Sequence, residues 1–187
     1  NGRAGPCFPS DGGSIRREHL VAVSMPDDSS HIYLSRSGSR CLVGVVPSSA
    51  MMPQMVEGVL YVALRPPSAT AQSNHMVLCR FGADFRGAPL MKVASNGFLV
   101  SPSATLVAQA APSGVVVRTM SGDTVTHIAS KDLSCPGGAA SGAHIKLAGW
   151  SDDMSRLWCM VTSQESVYCV NEIMTSSWTA HSYDMTS

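Results

Sequence analysis

The chain has 187 residues, 13 basic and 13 acidic side chains, 44% hydrophobic residues and 14% charged ones. Such a composition excludes a disordered chain, which needs low hydrophobicity and high net charge. Zero net charge also removes the surplus of Lys and Arg that a nucleic-acid binder uses, so no direct nucleic-acid binding is expected. No run of 18 apolar residues occurs and no transmembrane segment is expected. A surface so poor in charge is weakly protected against association, which points to partial coverage by a partner.

In chain order, residues 1–17 are rich in Gly and Arg and read as a flexible extension. Short apolar segments then alternate with clusters of Ser, Gly, Pro, Asn and Asp, which is the pattern of strands and turns. The expected strands are Leu20–Met25, His31–Ser35, Cys41–Val46, Val59–Leu64, Met76–Phe81, Pro89–Val93, Gly97–Val100, Leu106–Ala110, Val115–Met120, Thr124–Ile128, Ile145–Gly149, Leu157–Val161, Ser166–Val170 and Trp178–Ser182. Met51–Glu57 is the one stretch that could turn helically, and Pro47 and Pro53 mark it as a loop instead. The chain therefore reads as all-β.

Four units of similar rhythm run over about 18–47, 56–95, 97–130 and 144–183. Aligned on Tyr33, Val77, Val116 and Tyr168 they step by 44, 39 and 52 residues, around the roughly 40–45 expected for a four-stranded propeller blade. The run Ala148–Gly149–Trp150–Ser151–Asp152–Asp153–Met154–Ser155–Arg156–Leu157 resembles the first turn of a WD40-type blade, and Val100–Ser101–Pro102–Ser103–Ala104–Thr105–Leu106 is similar to it. The resemblance covers about 97–182 closely and the earlier residues only in strand rhythm. No Trp-Asp dipeptide closes any third strand; Arg118–Thr119 and Val170–Asn171 stand at those places.

The resemblance implies a diverged WD40-like β-propeller, or part of one, over residues 18–187. By the same resemblance Ser101, Pro102, Asp152, Asp153 and Trp150 are structural. It also implies a non-catalytic protein-interaction scaffold within a larger assembly of protein subunits, without cofactor or metal. Met51, Met52 and Met55 form an apolar cluster that reads either as a docking element or as the cap of a sheet. With Arg65 they are the expected partner contacts. Trp150, Trp158 and Trp178 fall in one unit, where stacking between blades is the default and a peptide-binding hot spot the sharper alternative.

The alternative fold is a two-barrel trypsin-like one, with Ser141 in the stretch Cys135–His144 as nucleophile, His31 or His75 as base and Asp84 as orienter. The G-x-S-G pattern is not met, since Ala stands at position 139. The six histidines show no metal-site spacing. The six cysteines, Cys7, Cys41, Cys79, Cys135, Cys159 and Cys169, include no C-x-x-C, and several sit inside apolar runs. Reduced, buried thiols and an intracellular, cytoplasmic location are expected from them.

Overall fold

The computed structural model describes residues 19–36, 39–66, 75–82, 86–94, 97–133, 144–162 and 168–184. They form fifteen strands and one 3-10 turn at Ser130–Asp132. The strands are β1 (His19–Ser24), β2 (Ser30–Arg36), β3 (Ser39–Val46), β4 (Ala50–Val56), β5 (Val59–Leu64), β6 (His75–Phe81), β7 (Gly87–Ala94), β8 (Phe98–Val100), β9 (Leu106–Ala111), β10 (Gly114–Thr119), β11 (Thr124–Ala129), β12 (His144–Trp150), β13 (Arg156–Thr162), β14 (Tyr168–Met174) and β15 (Thr179–Asp184).

Each sheet is a meander of consecutive strands: β1–β3, β4–β7, β8–β11 and β12–β15, here blades 1 to 4. The register within them is antiparallel. This is an all-β fold of β-propeller blades, and separate small meanders replace the two-barrel alternative. Among the described residues no helix is long and apolar enough to cross a membrane.

The chain divides into two compact units, Asn1–Lys92 and Val93–Ser187. Each holds a pair of blades that share one core, because a four-stranded sheet cannot bury its apolar face alone. In the first unit Ile32, Leu34, Val43 and Val46 of blade 1 meet Ala50, Leu60, Val62, Cys79 and Phe81 of blade 2. A buried hydroxyl ties the pair: the Ala50 N–H donates to Ser30 Oγ at 3.0 Å. In the second unit Ala108, Ala110, Val115, Val117 and Ile128 meet Ile145, Leu157, Cys159, Val161 and Ile173. There Trp150 packs on the shared core and its indole N–H donates to the Leu99 carbonyl at 3.4 Å, so this tryptophan joins two blades.

The turn between a blade's first two strands recurs in blades 1, 3 and 4. Its fourth residue takes positive φ, as Asp28 (63°), Ala104 (53°) and Met154 (59°), and that residue's N–H donates to the carbonyl three residues back, of Met25, Ser101 and Ser151. In blades 3 and 4 a serine closes the turn twice. Its N–H donates to the carbonyl of Leu106 or Arg156, and its Oγ accepts from the same residue's N–H. Asp27 and Asp153 each accept from the N–H and hydroxyl of the serine two residues on. This is the Asx-turn chemistry that favours Asp at such positions. Blade 2 differs, with a two-residue hairpin in which Glu57 and Gly58 both have positive φ.

Two sequence expectations are corrected. Residues 50–56 form a strand rather than a loop. Pro53 is accommodated because β4 is an edge strand and its register shifts between Met51 and Gln54, so the missing N–H falls where the ladder is already interrupted. Among the cysteines, Cys79 and Cys159 are free and buried as expected, whereas Cys41 and Cys169 are disulfide-bonded. The cysteine argument for a reducing compartment therefore does not hold for those two.

Candidate interaction surface

Blade 1 has one face in the first core and one turned away from it. Pairing sets two cross-strand rows on the second face, Val21–Tyr33–Leu42 and Val23–His31–Val45. Leu42 and Val45 are three apart in sequence yet share this face because the β2–β3 register shifts between Ile32 and Tyr33, leaving Val43 to point into the core. The four aliphatic residues of the two rows are 37–46% exposed, against 0% for Ile32 on the opposite face of the same strand. His31 and Tyr33 are half-buried between them, with ring centroids 6.2 Å apart and Nδ1 3.3 Å from the Tyr33 hydroxyl. Neither row carries a formally charged side chain.

Met51 and Met52 lie on β4 and are 41% and 42% exposed. Met52 has φ of 52° within the bulge, a conformation that costs a non-glycine residue roughly 1–2 kcal/mol. Arg65 is exposed just past the end of β5, where its N–H donates to the Ser49 carbonyl at 3.1 Å and Ser48 Oγ donates to its carbonyl at 2.7 Å. That pairing sets Arg65 opposite the residue two before Met51. Met55 pairs with Leu60 near the other end of the hairpin and packs against the first core. The structure thus brings Met51, Met52 and Arg65 to one end of the β4–β5 hairpin and separates Met55 from them.

Of the eight large hydrophobic residues exposed among the described residues, six belong to the first unit: Val21, Val23, Leu42, Val45, Met51 and Met52. The sequence reading missed the first four. A signal was present in Leu20–Val21–Ala22–Val23, which is apolar at every position rather than at alternate ones, the pattern of a strand with two apolar faces.

The residues of the hydrolase alternative are not assembled by what is described. Ser141 and Asp84 lie outside the described residues, as does the side chain of His75, and His31 sits in the apolar rows of blade 1. Among the described residues no group of three His, Cys, Asp or Glu side chains could hold a metal ion. The two free thiols among the described residues, Cys79 and Cys159, are sealed. Burial raises the Cys79 pKa and pushes that of Cys159 up to about 12, which keeps both protonated and unreactive near neutrality. In contrast, hydrogen bonds from Ser151 and Ser155 hold the exposed Asp153 carboxyl down to about 2.

No protein-family model matches the chain, and no curated protein matches it. Among solved structures it is similar to one from an analysis of two prolyl endopeptidases, with a TM-score of 0.53 at 10% identity, covering 88% of this chain and 29% of that one. A proposed 6-phosphogluconolactonase from Bacteroides fragilis gives 0.46 at 12% identity over 96% of this chain and 58% of that one. Hsv2 of Kluyvelomyces marxianus gives 0.38 at 15% identity over 88% and 63%. The chain spans less than a third of the length of the first of these, and at such identity the likeness is one of fold.

Proposed function

We propose that the chain is a non-catalytic protein-interaction scaffold of the WD40-like propeller kind, and that it meets a protein partner through the outward face of blade 1. The observation that carries this reading is the pair of rows Val21–Tyr33–Leu42 and Val23–His31–Val45, free of formal charge and with its four aliphatic side chains exposed on one sheet face. Exposed apolar patches rimmed by polar residues mark interaction sites. The tyrosine and histidine at the centre supply amphipathic rings of the sort enriched where one side is dry. Met51, Met52 and Arg65 are a second contact zone of the same unit.

The test is the native mass of the protein in its source, by light scattering, for the wild type and for a Leu42→Glu/Val45→Lys double variant, with Val125→Lys on the second unit as control. The reading expects a mass well above that of the monomer, lost in the double variant and kept in the control. A monomeric wild type would overturn it. Fluorophosphonate labelling that disappears in Ser141→Ala would put the serine hydrolase in its place.

A further inference from the structure

The outward face of blade 1 carries charge at its two ends and none in the two rows between them. Past the row Val21–Tyr33–Leu42 the next pair in register on this face is Ser35–Arg40, and Arg40 is exposed. Past the row Val23–His31–Val45 the chain turns through Asp27 and Asp28, both exposed. The Ser29 N–H and hydroxyl both donate to Asp27, which favours its ionised form. Along the strands the order is therefore cation, two uncharged rows, anions. On the outward face of blade 4 the cation Arg156 and the anion Glu172 pair with each other instead of standing at opposite ends.

A face with the blade 1 order is complementary to itself. In an isologous pair each residue of one copy meets a second residue of the other copy, and the reverse contact is made as well. A twofold axis lying across the strands, midway between the two rows, reverses the strand direction of the second copy. It sets His31 over the second copy's Tyr33, Val21 over its Val23 and Leu42 over its Val45, each contact made twice. Two sheet faces packed in this way stand about 10 Å apart with their side chains interdigitated. The same operation brings Arg40 to the level of the other copy's Asp27–Asp28 turn. The sideways offset is about one and a half strand spacings, ~7 Å, which an extended arginine side chain spans. A twofold along the strands would instead set the acidic turns against each other, which like-charge repulsion opposes.

We infer, resting on this face as the protein-binding one, that its partner is a second copy of this chain, bound blade 1 to blade 1 with the strands of the two copies running in opposite directions. Three strands over about 20 Å of length give a contact of roughly 300 Å² per copy. That is below the ~800 Å² of a standard interface, so the pair forms in a concentration-dependent way.

The test is sedimentation equilibrium of the purified full chain at low salt, from about 1 μM to about 1 mM, the range of a weak complex. Wild type is expected to pass from monomer to dimer across it. Arg40→Glu leaves both ends acidic and Asp27→Asn/Asp28→Lys leaves both basic, so each alone should weaken the dimer roughly tenfold, because two exposed ion pairs become repulsive. An equimolar mixture of the two variants restores opposite charges at both ends and should dimerise as the wild type does. Arg40→Glu alters no turn, so its result stands whether or not the other variant folds. A dimer that keeps its strength in Arg40→Glu would overturn the antiparallel arrangement, and one that survives Leu42→Glu/Val45→Lys would place the contact on another surface. A purified chain that stays monomeric, while the protein from its source keeps a high mass that the Leu42→Glu/Val45→Lys variant loses, would overturn the second copy as partner and leave the blade 1 reading standing. A monomer in both settings would overturn both.

Discussion

Blades 1 and 4 each bury one sheet face in their own unit's core and turn the other away, yet the two outward faces are built differently. On blade 4 that face carries the rows Lys146–Met160–Val170–Tyr183 and Trp158–Glu172–His181, with Arg156 beside them. A polar network crosses it: Arg156 pairs with Glu172 at 2.9 Å and the Tyr183 hydroxyl donates to the same carboxylate at 2.9 Å. On blade 1, among the described residues, no such network crosses the two aliphatic rows, and His31 and Tyr33 meet at their centre. One face supplies its own polar cover. The other leaves aliphatic surface to whatever can dry it, and this is why the interaction reading rests on blade 1.

The comparison requires the inward faces of the two blades to be equivalent, which sets the largest expected effect. Ile32→Ala and Leu157→Ala each empty a fully buried core position, and each should cost about 2–5 kcal/mol by urea unfolding. If one of them were tolerated, the blades would differ in their cores and the contrast between their outward faces would lose its meaning. Next in size is the loss of association in Leu42→Glu/Val45→Lys. For the isolated chain the same pair should move stability by no more than about 0.5 kcal/mol, so a large loss of stability would mean that the face is part of the fold.

Smaller still is Arg156→Ala on blade 4, where the arginine is half exposed. It should cost about 0.5 kcal/mol at low salt and nothing measurable in ~1 M salt, where the Debye length is about 3 Å. Ile32→Ala on blade 1, which changes no charge, should show no such salt dependence. The smallest effect concerns the matching turns of the two blades. Serine hydrogen bonds lower the carboxyl pKa of both Asp27 and Asp153, the latter from 3.8 to about 2. A carboxylate depressed in the folded state contributes its stability above the unfolded value and loses it as pH falls through the folded one. Melting temperature measured between pH 5 and pH 2 should therefore fall less steeply in Asp27→Asn and Asp153→Asn than in the wild type. A steeper fall in either variant would place the acid-sensitive contacts elsewhere.

The fourteen strands expected from alternation all have counterparts, because period-two patterning and Ser, Pro and Asp turns are local signals. The Ser101 and Asp153 turns were legible for the same reason, since their hydrogen bonds close within five residues. The fifteenth strand, β4, was not. A proline ordinarily argues against a ladder, and only the bulge beside Met52 makes room for it, a feature of pairing rather than of composition. The bulge in β3 hid the outward face in the same way, since it is what returns Val45 to the side of Leu42. Met51 and Met52 were found as an apolar cluster, but their separation from Met55 depends on register. The oxidised state of Cys41 depends on which residues come together in space, and spacing along the chain carries no record of that.

The two free thiols have a consequence of their own. Cys79 sits in the core shared by blades 1 and 2, and Cys159 in the core shared by blades 3 and 4, so among the described residues each half has one sealed sulfhydryl. An alkylating reagent can reach either one only when the surrounding sheets part. The order in which the two become labelled under mild denaturant is then the order in which the halves come apart, recorded covalently in an otherwise unmodified chain. A molecule built of repeated blades thus carries a separate internal clock for each pair of them.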